Sequence, residues 1–404
     1  MFIELHILQN FAPSNLNRDD TNQPKDTEFG GWRRARISSQ ALKRAMRFDP
    51  VFKATTGVEP STRTRIVVRL LRERLMSVTG KSAEEVNPIV DAFAEAYAGE
   101  VERKEGKETR TKIALYLSPA EVNWAVAQLQ ARWDEVATAV AQAKDKPKKA
   151  EGDKKAKKAA KEEESVLAQL AKDLAKQTKD RTTDAPDIAL FGRMLTEHPD
   201  TDIDAACQVA HAISTHAIRM DTDFFTAVDD LQQKDETGAG MMGVVGFNSP
   251  CLYRYARLDW DKLLENLKGD KDLALKTVKA FLLASEAAIP SGKQNTFAAH
   301  NRPSFMLAVA RKEKSAGWSL ANAFEAPVHP QNGSGLVAPS VTALDEYWQG
   351  LSGFYGETSV AAKAVAVEPR LKVELSASLQ AARKATLDEW VQTMLDALTK
   401  GEAA

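Results

Sequence analysis

Alternation opens the chain. In MFIELHILQNF, Ile3, Leu5 and Ile7 interleave with Glu4 and His6, which predicts a first strand. Arg34 and Arg36 then alternate with Ala35 and Ile37, predicting a second strand with one wet and one buried face. Ser38 and Ser39 offer N-caps for a helix. Along it Gln40, Lys43, Arg44 and Arg47 fall on one face, and Leu42, Ala45 and Met46 on the other. The first fifty residues therefore read as strand, long polar loop (about Ala12 to Gly31), strand, helix.

From about 60 to 180 the period becomes helical. Arg63 to Met76 carries Val67, Leu71 and Leu75 on one stripe. A second helix lies in 82–98, starting either at Ser82 with Glu85 or at Asn87 with Pro88. Ser118-Pro119-Ala120-Glu121 marks a further helix start. The run Lys144 to Glu164 sets nine lysines among six acids; Pro147 and Gly152 predict a loop first and helix after about Lys154. It reads as a solvated spacer or as a weak handle for duplex DNA through Lys148, Lys149, Lys154 and Lys155.

Strand patterns return from 187 to 258. Cys207 to Ala217 alternates, and so does the aromatic Leu252 to Leu258. Residues 218–245 interrupt them with an acidic segment and a Gly/Met-rich stretch. Helices are expected at 260–268 and 271–287, a polar loop at 290–302, a strand at 304–311, and a last helix at Thr386 to Leu398. Two sets of strands flank one helical block. That order predicts an α+β core with a helical insertion, not repeated βαβ units.

Composition narrows the classes. Hydrophobic residues are 43% of 404, enough for a sizeable core, and no apolar run approaches the length of a membrane span. Cys207 and Cys251 have no CxxC spacing or His/Cys cluster, which argues for a reducing, cytoplasmic setting and against zinc. The net charge is only −1, yet Lys25 to Arg47 holds seven basic residues against two acids. Such a local cluster suits a phosphate backbone. A solvated helix face would look the same from spacing alone. Gly30-Gly31 lets the chain approach a ligand closely, and helix-start N–H groups could meet phosphate. The 292–302 loop adds Lys293, Gln294, Asn295 and Arg302 beside Gly292.

Catalytic signals are sparse. Asp19-Asp20 and Asp229-Asp230 are adjacent carboxylates without an accompanying ligand cluster. His211 and His216, five apart on a strand, point to opposite faces. There is no GxSxG, Walker A or HExxH motif, and nothing calls for a metal or cofactor.

The wording of several segments goes further. SNLNRDD (Ser14 to Asp20), FGG (Phe29 to Gly31) and RISSQALKRAMR (Arg36 to Arg47) resemble the CasC family, the repeated backbone subunit of the type I-E CRISPR Cascade complex, in the RAMP superfamily. DIALFGRM (Asp187 to Met194), AHAISTHAI (Ala210 to Ile218), DFFTAVDDL (Asp223 to Leu231), LYRYA (Leu252 to Ala256), GKQNTFAA (Gly292 to Ala299) and SLANAFE (Ser319 to Glu325) continue it in order. It is weakest at about 50–180 and after about 340.

The resemblance implies a ferredoxin-like (RRM-like) palm over 1–55 plus 182–340 and helical fingers over 56–181. It also implies a thumb-like excursion over 218–245, with a C-terminal helical region at 341–404. It implies a non-catalytic subunit that polymerises head to tail along a guide RNA beside other Cascade subunits and presents the guide to target DNA. Arg18, Lys25, Arg33, Arg34, Arg36, Ser38, Gln40, Lys43, Arg44, Arg47, Lys293 and Gln294 are the expected RNA contacts. Met194 and Phe225 would be wedges that interrupt base stacking; on residue type alone both equally suit core packing. Phe191 stands where related sequences carry serine. The rival expectation is a metal-dependent RNA-processing or target-cleaving nuclease of the same superfamily, with Asp19 or Asp20 as ligand.

Overall fold

A computed structural model describes residues 1–104, 106–145, 166–176, 182–195, 198–227, 241–312, 316–330, 333 and 335–401. Two compact units form. One comprises Met1–Gly57, Cys207–Lys262 and Lys271–Ala404, the other Val58–Ala206 and Leu263–Asp270.

The first is a sheet unit. Its strands are β1 (Phe2–Asn10), β2 (Asp26–Phe29), β3 (Trp32–Ile37), β4 (Cys207–Val209), β5 (Ala212–Ser214), β6 (Asp221–Ala227), β7 (Met241–Phe247), β8 (Cys251–Asp259), β9 (Phe305–Arg311) and β10 (Val360–Val367). Its main helices are α1 (Ser39–Phe48), α2 (Pro50–Thr56), α3 (Lys271–Ala287), α4 (Val337–Tyr355) and α5 (Leu387–Gly401). Eight strands form one sheet in the order β10-β9-β1-β8-β5-β3-β2, with β4 also on β8, and every pairing is antiparallel. Strands β6 and β7 form a separate hairpin. Mixed helices and an antiparallel sheet make the fold α+β, as the order of periods predicts.

The local reasons are visible. Ser38 caps α1 and Asp49 caps α2, whose first residue is Pro50. Helix α3 packs on α1 and α2, while α5 packs on β9 and β10, its Trp390 Nε1 donating to the Ala364 carbonyl at 3.0 Å. Over the sheet, Leu8, Tyr253, Phe305 and Leu307 bury against Leu320, Phe324 and Trp348. Under that cover both faces of β1 are buried, Glu4 and His6 included. Glu4 pairs with Arg311 and accepts hydrogen bonds from Tyr255 Oη (3.1 Å) and Trp318 N (2.8 Å).

The second unit is helical, with helices at Val67–Thr79, Ala83–Ala98, Pro119–Ala131, Trp133–Asp145 and Val166–Lys176. Leu71, Leu75, Val90, Phe93, Leu129 and Leu170 lie in its core. Ser82–Glu85 and Ser118–Glu121 are both capping boxes, so Ser82 starts its helix and Pro88 lies inside it. The helix expected from Arg63 begins at Val67, behind a short strand at Thr62–Thr64.

Other boundaries also differ. Residues 182–206 pack in the helical unit, and the C-terminal stretch expected to be helical contains β10, the sheet's edge strand. The expected strand Cys207 to Ala217 breaks into β4 and β5, where Ala210 N donates instead to the Tyr255 carbonyl at 2.9 Å. No helix among the described residues is long and apolar enough to cross a membrane.

Candidate nucleic-acid interface

The basic segment is built on β2, β3 and α1. The β2–β3 turn is Gly30-Gly31, with φ of +61° and +77°. A Cβ on Gly30 would lie 2.1 Å from the Glu325 carbonyl oxygen, so only glycine lets this tip seat there. Arg33 is exposed and pairs with Asp26 across the hairpin. Arg36 donates from Nε to the Asp26 carbonyl at 3.1 Å and meets His211 Nδ1 at 3.1 Å. His211 has its pKa lowered, first by partial burial and then by the charges of Arg36 and Lys25. The second cause records a local positive field.

Arg34 is a correction. It was expected on the wet face of the strand, and it is 0% exposed. Its Nη1 donates to the Ser214 carbonyl at 3.1 Å; Nη2 donates to those of Phe324 (2.7 Å) and Glu325 (3.0 Å). It ties the strand to the 324–325 turn.

Helix α1 divides its residues unevenly. Gln40 and Arg44 are exposed and Lys43 is half-buried, but Arg47 is buried. The guanidinium carbons of Arg44 and Arg47 lie 4.8 and 5.1 Å from the Phe48 ring centre. Ser38 is buried too. Its hydroxyl accepts from Ala41 N at 3.3 Å, and its own N–H donates to Asn17 Oδ1 at 2.8 Å. Two N–H groups expected to face phosphate are thus engaged within the fold.

Two loops border α1. Gly292 presses on the 15–16 backbone, where a Cβ would stand 2.3 Å from the Leu16 carbonyl oxygen. Lys293 follows at φ +50°, half-buried. Gln294 holds this loop closed: its Oε1 accepts from Ala299 N at 2.8 Å, and its Nε2 donates to the Pro290 carbonyl at 3.3 Å. Exposed Arg18 donates to Asn22 Oδ1 at 2.8 Å. A cavity of about 310 Å³ lies between α1 and Ile289–Gly292, and a second of about 370 Å³ is lined by Arg18, Asp19, Asp20 and Gly292.

Asp19 works as a turn residue. Its Oδ1 accepts from Thr21 N (2.9 Å), Thr21 Oγ1 (2.8 Å) and Gln23 N (3.0 Å). Among the described residues no group of three His, Cys, Asp or Glu side chains is placed to hold a metal ion.

Both wedge candidates are at the surface. Met194 is 79% exposed, although its neighbours Arg193 and Leu195 are buried. Phe225, 37% exposed, lies across the hairpin from Gly243, where a Cβ would be 2.4 Å from its Cζ. On the hairpin's opposite face Phe224, Met242 and Val244 are exposed. Lys148, Lys149, Lys154, Lys155 and the Asp229-Asp230 pair lie outside the described residues. The sequence reading missed Phe48, which is 50% exposed and follows the basic face. It also missed the approach of His211 to Arg36. Phe48 carried a local signal, one residue beyond Arg47; the His211 approach depends on β3 pairing with β5 and had none.

No curated protein matches the chain. Among solved structures it is similar to a chain of a CRISPR RNA-guided surveillance complex, pre-nicking, at 28% identity and a TM-score of 0.81, over 98% of this chain and 100% of that one. It is also similar in fold to a chain of a CRISPR RNA-guided surveillance complex at 24% identity and a TM-score of 0.71, again over 98% and 100%. The family model described as CT1975-like protein matches residues 3–393. With nearly its whole length matched, the chain belongs to the CT1975-like protein family.

Proposed function

We propose that this chain is a non-catalytic RNA-binding backbone subunit of a CRISPR surveillance complex, of the type I-E CasC kind. It works in the cytoplasm. Copies assemble head to tail along the guide RNA, with other Cascade subunits at hand. Heterologous contacts of that kind propagate as a filament when the rotation does not close. Each copy holds a guide segment by its phosphates and leaves bases to pair with target DNA, so sequence specificity resides in the pairing.

The observation that carries this reading is the outward face of Gln40, Lys43 and Arg44 in an otherwise near-neutral chain. The whole-length likeness to a chain of an RNA-guided surveillance complex supports it. Lys25, Arg33, Arg36 and Lys293 extend the phosphate contacts, with Arg18 at their edge. Met194 and Phe225 serve as wedges; their exposure suits that role. Arg34 and Gln294 are structural in this reading.

The test is co-expression with a guide RNA and purification through high salt, read by absorbance ratio and light scattering. RNA in a large particle of regular stoichiometry is expected. A nucleic-acid-free monomer that stays so when the partner subunits are added contradicts the proposal. The nuclease reading instead expects Mg²⁺-dependent RNA cleavage that Asp19→Ala abolishes. Against it stands the engagement of Asp19 Oδ1 by three turn donors.

A further inference from the structure

We propose that the cavity between α1 and the Ile289–Gly292 segment receives one unstacked nucleobase of the bound RNA. The inference rests on the RNA-binding reading and adds a base site that involves neither Met194 nor Phe225.

The cavity measures about 310 Å³ and is lined mainly by apolar groups, among them Ala41, Ala45, Phe48 and Pro290, with Arg44 at its side. Its position on α1 is specific. Ala41, Arg44, Ala45 and Phe48 recur at i, i+3, i+4 and i+7, so they form one stripe. The stripe of Gln40, Lys43 and Arg44 lies one residue round the helix, and Arg44 belongs to both. A phosphate backbone that follows the cationic stripe therefore carries its bases past the mouth of the apolar one.

The chemistry fits a flat, weakly polar guest. Phe48 is half exposed, and the Arg44 guanidinium lies 4.8 Å from its ring centre. An aromatic ring and a guanidinium plane both stack on nucleobases without regard to sequence. The polar rim is thin. Asp49 already accepts the Val51 N–H at 3.0 Å as the cap of α2. A pocket with so few directed hydrogen bonds takes any base, which agrees with a protein that leaves sequence to pairing. Small residues keep it open: Ala41 and Ala45 leave its floor low, and Gly292 lets the far wall seat against Leu16.

The experiment compares two RNAs of equal length, an oligouridylate and its abasic counterpart, on the full chain. Ala45→Phe fills the cavity and Phe48→Ala removes the stacking ring; circular dichroism melts establish that each variant is folded. Both variants are expected to bind the oligouridylate about tenfold more weakly, the scale of one lost stacked base, with abasic binding unchanged. Equal losses on both RNAs, or no loss on either, overturn the base site while leaving the phosphate reading intact. Particle mass that falls with Phe48→Ala while RNA affinity does not would make the cavity a protein-docking site and overturn the proposal. Failure of the wild-type chain to bind either RNA in a salt-sensitive way removes the underlying reading itself.

Discussion

Arg193 and Glu121, 72 residues apart, form a buried ion pair in which Nη1 lies 2.7 Å from Oε1. The arginine also donates to the Thr201 carbonyl (3.2 and 3.1 Å) and the Tyr116 carbonyl (3.2 Å). Glu121 meanwhile accepts from Ser118 N at 2.7 Å as half of a capping box. One carboxylate thus starts a helix and fixes the backbone that displays Met194. Glu121→Ala would leave a buried cation unpaired. The expected loss is about 3–5 kcal/mol in denaturant unfolding of the helical unit. A loss below about 1 kcal/mol would contradict this account of the pair.

Arg34→Ala separates structure from binding. It strands three carbonyl acceptors, and a loss of about 3 kcal/mol is expected in chemical unfolding. Arg34→Lys should recover only part, because an ammonium cannot span the same fork of acceptors. The salt dependence of RNA binding by the folded variant should equal wild type. A slope reduced by a full contact would put Arg34 back at the interface.

His6 makes the sheet unit sensitive to acid. Burial, and then the Arg311 charge, lower its pKa from 6.5 to about 3. The unfolded chain takes up this proton near pH 6.5, and the folded chain does not until about pH 3. Between those values the unfolded state binds more protons, so stability falls as the pH drops, by about 1.4 kcal/mol per unit from this group. The difference in stability between His6→Gln and wild type, followed by melting from pH 7 to 4, should shift in favour of the variant as the pH falls. A pH-independent difference would remove His6 as the cause.

Gly243→Ala should act on Phe225. The added Cβ would displace the ring, which lies 2.4 Å from that position. The variant is expected to keep its guide RNA and to reproduce the effect of Phe225→Ala on target pairing. Nuclease protection of the guide at one position per copy would measure that effect. Normal protection in Gly243→Ala beside altered protection in Phe225→Ala would contradict it.

Much of this was legible locally. The capping residues Ser38, Ser82 and Ser118 lie within three residues of their partners, so the sequence marks the start at Ser118, narrows the first to Ser38 or Ser39, and leaves the second between Ser82 and Asn87. What failed was remote. Arg34 reads as part of a wet face because alternation reports two faces and not what covers them; the 324–325 turn that accepts its hydrogen bonds lies hundreds of residues away. Strand β10 is alanine-rich and weakly strand-like, and it forms because β9 offers it an edge. Met194 suits a core by residue type, yet it is exposed between the buried Arg193 and Leu195. At the candidate site, Lys43 and Arg44 could be read from helical spacing, while the burial of Arg47 and the closure of the loop by Gln294 could not.

The most direct test of the central claim is the salt dependence of guide-RNA affinity for wild type and for Lys43→Ala with Arg44→Ala, on two unrelated sequences. The account predicts equal weakening on both RNAs and a slope of log affinity against log salt smaller by about 1.4, two single-strand phosphate contacts. An unchanged slope, or a loss confined to one sequence, would contradict it.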